Sequence, residues 1–563
     1  MHELLRCPDR RRLPSRDTPP PYVPHRPEAT LLHQTVRDHL ETFLARASER
    51  DHPVPRFVER AFRSYLACGV LARGFLRLHC DACGCDRLVP FSCKGRGFCP
   101  SCGGRRMADT AAYLVDRVLP EVAVRQWVLS LPFALRYRLA YDARLTSDVL
   151  GLFVRAVFAS LRRRAWRKWG VGRGQCAAVT FVQRFGSALN LNVHFHTLVL
   201  DGVYPITEAG PSRFHPLPAP DDGEVARVVT ATARRLARLL EKRGLGPDAD
   251  PMESDPLAQE EPLLASLAAA SLKGCVATGP RAGQRLLRLG DRVEPDDREY
   301  LEAEPPRRCA SAGGPSLHAD VAVPARDRRR LERLCRYVAR PPLATERLTQ
   351  LDDGRLCYRL KRRWRDGTTH LLLERVALLE RLAALVPPPR FHLVRYHGIL
   401  APCASWRDRV VPVDPGPLIP QTSRTARTKE GPADTKRGGD GARSGPSHRG
   451  DPGTTAASGG VIPTNPECRA TADVPTPAEG AHSPRLRRLP WSDLLQRVFA
   501  VDALACPRCG ERLRLLAAIE SPEAIRAILD CLGLPSRAPP LAPSEPEATS
   551  LELGFEELPT FET

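Results

Sequence analysis

The chain has 563 residues, room for several domains and at least one substantial core, and 84 Lys and Arg against 65 Asp and Glu give it a formal charge of +19. An excess of that size favours a polyanionic partner, nucleic acid first, over a merely solvated basic surface. No apolar run approaches the ~20 residues that a bilayer span requires, which excludes a helical membrane protein.

The N-terminal MHELLRCPDRRR lacks the continuous apolar stretch of a signal peptide, so a cytoplasmic, reducing compartment is expected. The 18 cysteines then read as metal ligands or buried thiols rather than as a disulfide framework. Residues 1–29, rich in Pro and Arg, are expected to be disordered. A helical region follows at 30–78, where Val58, Phe62, Tyr65, Leu66 and Val70 recur at spacings of three and four.

The segment 79–107 contains Cys80-x2-Cys83 and Cys99-x2-Cys102. A Cys-x-x-Cys turn lets two thiolates grip one tetrahedral ion, and two such turns complete a four-thiolate structural Zn2+ site. Cys85 and Cys93 are spare, able to replace one of the four or to build a second site. Lys94, Arg96, Arg105 and Arg106 surround the knuckle, as suits a rigid element resting on a phosphate backbone.

Strand-like runs occupy 126–132, 176–185 and 190–204, with Gly186-Ser187 as the turn between the last two. Between them, 155–175 holds Arg162, Arg163, Arg164, Arg167 and Lys168 with Trp166 and Trp169, a mixture of phosphate-neutralising and stacking groups suited to single strands. In NLNVHFHTLVL, alternation sets His194 and His196 on one face and Val193, Phe195, Thr197 and Val199 on the other. The two imidazoles can share one divalent ion, although His-x-His alone is also met as ordinary hydrogen-bonded histidine.

A helix is predicted at 224–243, and 245–315 is read as an insertion. The stretch 316–342 reads as a strand feeding a helix that stops at Pro341-Pro342. On that helix Leu331, Leu334, Cys335 and Val338 form the inner stripe, while Arg330, Arg333, Tyr337 and Arg340 share a more exposed side. A phenol flanked by guanidiniums is suited to attack a phosphate.

Asp366-Gly367 marks a hairpin within a basic extension at 346–411, with Arg359, Lys361 and Arg363 on one face. Residues 412–486 have linker composition. The C-terminal segment 487–563 carries Cys506-x2-Cys509, half of a zinc site, with Cys531 as the nearest further ligand.

The ordered set FSCKGRGFCPSCGGRRM, NLNVHFHTLVLDGVY, LERLCRYVARPPLA and FHLVRYHGILAPCASWR resembles the HUH endonucleases, and among them the rolling-circle transposases of the bacterial insertion sequence ninety-one type. The resemblance implies an α/β (α+β) fold, with an antiparallel-sheet HUH domain at 124–345 fronted by a helical and zinc-ribbon module. It implies a catalytic Mg2+ or Mn2+ on His194 and His196, and Tyr337 as the nucleophile that forms a 5′-phosphotyrosine. It implies single-stranded DNA at element ends as the partner, no membrane, and a bacterial cytoplasmic setting.

Founding members carry two tyrosines four residues apart, whereas Arg333 stands at the earlier position here. A one-tyrosine scheme follows, in which a homodimer could supply two covalent ends. His318, Asp320 and Gln183 are the candidates for a third metal ligand. Rival readings are a plasmid replication initiator or relaxase, a non-catalytic zinc-dependent DNA-binding protein, and a metallohydrolase with an activated water.

Overall fold

The computed structural model describes residues 26–48, 53–208, 210–211, 213–246, 255–290, 307–412 and 489–545. The expected disordered N-terminus, through residue 25, and the expected linker, from residue 413, lie outside the described residues. The fold is mixed α/β with antiparallel sheets.

The first sheet pairs β1 (Phe75–His79) with β2 (Asp86–Pro90). The main sheet contains β3 (Val124–Ser130), β4 (Ala177–Phe185), β5 (Leu191–Leu200), β6 (Cys309–Ser311), β7 (Ser316–His318), β8 (Ala322–Val323) and one later strand, in the order β6-β7-β3-β5-β4 with β8 beside β3. The basic hairpin is β9 (Leu356–Arg359) and β10 (Thr368–Leu373), turned at Gly367, whose φ of 85° suits glycine. The main sheet's last member is β11 (Val394–Gly398), paired antiparallel with β4. The sheet therefore takes an edge strand from residues that the sequence reading assigned to an extension beyond 345.

Helices cover both faces. The strand alternation decides which side chains each layer receives. Trp127, Leu129, Val193, Phe195 and Val199 pack against α5 (Ala143–Trp169) and α6 (Asp222–Lys242), which follow α1 (Leu31–Ser48), α2 (Arg56–Leu66), α3 (Pro100–Arg117) and α4 (Phe133–Tyr141). The opposite face presents Val124, Val179, Phe181, Leu198 and Leu200 to α3 and to the tyrosine-bearing helix. That helix is α9 (Arg328–Ala339), after α7 (Pro256–Glu260) and α8 (Pro262–Lys273). Leu331, Leu334, Cys335 and Val338 are its buried residues, the stripe expected from spacing.

A second core joins α1, α2, α8 and α10 (Arg375–Leu385). The reading of 245–315 as an insertion needs correcting here: Leu263, Leu264 and Leu267 of α8 are core residues, and β6 is part of the main sheet. LLASLAAASLK is apolar all round, so it shows no amphipathic period, which is the behaviour of a buried helix. The C-terminal segment supplies α11 (Trp491–Phe499), β12 (Arg514–Ile519) and α12 (Pro522–Cys531), and β12 adds to β1 as the third strand of the small sheet.

Candidate active site and zinc centres

His194 and His196 lie midway along β5, on the face that packs against α9. Their Nε2 atoms are 3.1 Å apart, a gap that two imidazole bonds of about 2.1 Å to a single ion would span. Each ring is held from behind. His194 Nδ1 donates to the Asn192 carbonyl at 2.9 Å, and His196 Nδ1 meets the Gln126 side-chain amide at 2.6 Å. The Asn192 carbonyl accepts from His194 Nδ1–H and leaves the His194 Nε2 lone pair facing the shared gap, while the Gln126 amide holds the plane of the His196 ring. Burial pushes the His194 pKa down to about 4 and the His196 pKa down to about 2, with Arg340 adding to both, so the rings are neutral and ready to ligate.

Gln183 stands opposite His194 in the β4–β5 register. Its Nε2 donates to the Val338 carbonyl at 2.9 Å and ties the sheet to the last turn of α9. Its Oε1 is buried and finds no hydrogen-bond partner among the described residues, which makes it an acceptor in want of a cation or a donor. The other two third-ligand candidates are not supported. Asp320 is paired with Arg308 at 2.5 Å, and His318 belongs to no ligand group with the histidines among the described residues. His318 lies two strands from His196, across Val128, which is too far for a shared ion.

Tyr337 comes from α9 to meet this cluster. Its ring centroid lies 6.1 Å from that of His196, with the planes at 89°. It remains 40% exposed, so a strand of DNA can reach the phenol. Two cations flank the ring, Arg340 at 4.4 Å and Lys361 at 4.8 Å from its centroid. Lys361 follows the first arm of the basic hairpin. The sequence placed it on a basic face but gave no signal that this face meets Tyr337. Arg328 is a second residue missed by sequence reasoning: its guanidinium binds the Val115, Leu119 and Pro120 carbonyls and so fixes the start of α9 to the end of α3.

The expected DNA-contacting residues divide. Arg330 and Arg333 are exposed on the helix of Tyr337, and Arg105 is exposed on α3. Arg106 donates to the Lys94 and Gly95 carbonyls and braces the cysteine loop. The basic helix α5 lies on the sheet face away from the histidines. Its Arg162 donates to the Gly174 carbonyl, Arg163 is paired with Glu224, and Arg164 donates to the Pro218 carbonyl. Those three guanidiniums are thus engaged within the chain, while Arg167 and Lys168 stay exposed beside Trp166 and Trp169.

The cysteines require a correction. Cys80, Cys83, Cys99 and Cys102 do not converge on one ion. Among the described residues they separate into Cys68, Cys93, Cys99 and Cys102, and Cys80, Cys83, Cys506 and Cys509, each set with its Sγ atoms within 4.8 Å of one another. Individual Sγ separations of 3.4–3.7 Å suit a tetrahedron whose Zn–S bonds are about 2.3 Å. Both sets fit zinc. Cys85 and Cys531 join neither. In the first set Cys99 caps α3 and Cys102 sits in its first turn, so the ion would anchor the helix against which α9 packs.

The transposase zinc-binding domain family Zn_Tnp_IS91 matches residues 35–131, and the transposase family Y2_Tnp matches 177–407. The chain belongs to the IS91-type transposases. As a transposase it acts on DNA, and the set of Cys68, Cys93, Cys99 and Cys102 lies within the matched zinc-binding domain and fits its structural zinc. No curated protein and no solved structure matches this transposase. None of its described helices is long and apolar enough to cross a membrane.

Proposed function

We propose that this transposase nicks single-stranded DNA at element ends and transfers the strand through a 5′-phosphotyrosine on Tyr337. The observation that carries this reading is the convergence of Tyr337 with the facing Nε2 atoms of His194 and His196, drawn from a helix and a strand far apart in the chain. Tyr337 Oη, on losing its proton to solvent, forms a bond to the scissile phosphorus. The bond from phosphorus to the 3′ oxygen breaks, and that oxygen takes up a proton to become a free 3′-hydroxyl.

His194, His196 and Gln183 would hold Mg2+ or Mn2+, which when bound draws charge from the non-bridging oxygens. Arg340 and Lys361, beside the phenol, bind the same phosphate and stabilise the charge that builds on it. Arg333 and Arg330, one and two turns back on α9, lead the strand toward Tyr337. Arg333 in place of a second tyrosine leaves one nucleophile per subunit, so joining two ends at once calls for a homodimer.

The test is a denaturing gel with purified protein, Mn2+ or Mg2+, and a labelled single-stranded end oligonucleotide. Wild type yields a covalent protein–DNA species. Tyr337→Phe binds the oligonucleotide and yields none. Cleavage that survives this substitution would overturn the assignment in favour of an activated water.

A further inference from the structure

The cysteine set of the small sheet is built from the two ends of the chain. Cys80 and Cys83 lie within the matched zinc-binding domain, whereas Cys506 and Cys509 lie beyond both family matches. We propose that these four thiolates bind a second structural zinc ion, and that this ion clasps the C-terminal segment to the N-terminal ribbon and so braces the helix of Tyr337.

The two halves share one local geometry. Cys80-Asp-Ala-Cys-Gly and Cys506-Pro-Arg-Cys-Gly each place glycine one residue after the second cysteine, in the left-handed region, with φ of 69° at Gly84 and 82° at Gly510. In the first, the Gly84 N–H donates to the Cys80 carbonyl and the Cys80 N–H to the Cys85 carbonyl, both at 2.9 Å. In the second, the Gly510 N–H donates to the Cys506 carbonyl at 2.9 Å and the Cys506 N–H to the Glu511 carbonyl at 2.7 Å. Two matching knuckles face each other, with Cys80 Sγ 3.4 Å from Cys509 Sγ and Cys83 Sγ 3.5 Å from Cys506 Sγ. Four converging thiolates without carboxylate or imidazole exclude Mg2+ and Ca2+ and suit a tetrahedral zinc ion.

What the ion would fasten is visible around it. Strand β12 pairs with β1 from Phe75↔Ile519 to His79↔Arg514, and Ile525 and Leu529 of α12 pack on Phe75. The same segment carries α11, whose Arg497 pairs with Asp116 of α3 and, at 2.8 Å, with Glu332 of α9. Leu494 of α11 is buried against Ala108 and Ala112 of α3. Five residues after Glu332 comes Tyr337. The C-terminal segment is thus a strut between the ribbon and the tyrosine helix. Its apolar contact with the ribbon is small, so beside the β12–β1 pairing and the Arg497 ion pairs the ion would be the tie that resists separation.

The test uses the full chain with a site-specific protease sequence inserted at residue 450. Zinc is measured by mass spectrometry of the metal, and the cut pieces are followed by size exclusion. Wild type should hold two zinc ions per chain, and its pieces should co-elute after cutting. Cys506→Ser/Cys509→Ser and Cys80→Ser/Cys83→Ser should each hold one zinc and release the C-terminal piece. One zinc in wild type, separation of the wild-type pieces, or retention of the piece by either serine variant would overturn the proposal. These readouts do not involve DNA cleavage, so failure of the phosphotyrosine reading leaves them intact.

Discussion

An imidazole pair can share an ion only when both rings are turned to it and neither carries a competing proton. Gln126 and the Asn192 carbonyl fix the orientation, and burial keeps the rings neutral. Gln126→Leu should leave the sheet intact yet weaken Mn2+ binding about 10- to 100-fold, measured by calorimetry. Unchanged affinity would show that Gln126 only fills space. Lys361 makes its contribution at the phenol. Lys361→Ala should slow covalent adduct formation on the order of 10²-fold, with Lys361→Arg recovering part of it, while Tyr337→Phe allows none. The histidine pair was legible in NLNVHFHTLVL, because strand alternation is a local rule. Gln126 and Lys361 were not, since strand pairing and hairpin docking bring them there.

Helices of similar charge are put to different use by the layers they occupy. On sequence, α5 was the stronger candidate for DNA, with its dense run of Arg and Trp. Packing sets it behind the sheet and turns Arg162, Arg163 and Arg164 onto internal acceptors. The less conspicuous α9 holds Arg330 and Arg333 in the open beside Tyr337. Salt-dependent binding to single-stranded oligonucleotide separates the two. Replacing Arg330 and Arg333 by Ala should reduce the slope of log K against log salt by about 1 for each residue. Replacing Arg162 and Arg163 should leave the slope unchanged and lower thermal stability instead. The reverse pattern would return the DNA path to α5.

At the scale of the whole molecule, three C-x-x-C-G motifs compete for partners, and nothing within any of them says which two belong together. Residues 80–84 and 506–510 form matching knuckles, while 99–103 opens a helix and recruits Cys68 and Cys93. Proline after the first cysteine does not discriminate, because it stands in both the helical motif and the C-terminal knuckle. The sequence by itself determined what is local: the alternating strand of His194 and His196, the amphipathic helix of Tyr337, the hairpin turns and the cysteine spacing. Each follows from a backbone period or a turn preference that neighbouring residues set among themselves. Only the tertiary structure decided the cysteine partners, the use of α8 and β11 as core elements, and the arrival of Lys361 at Tyr337. Those depend on contacts between segments as far apart as Cys83 and Cys506, 423 residues in sequence, for which a local pattern carries no record.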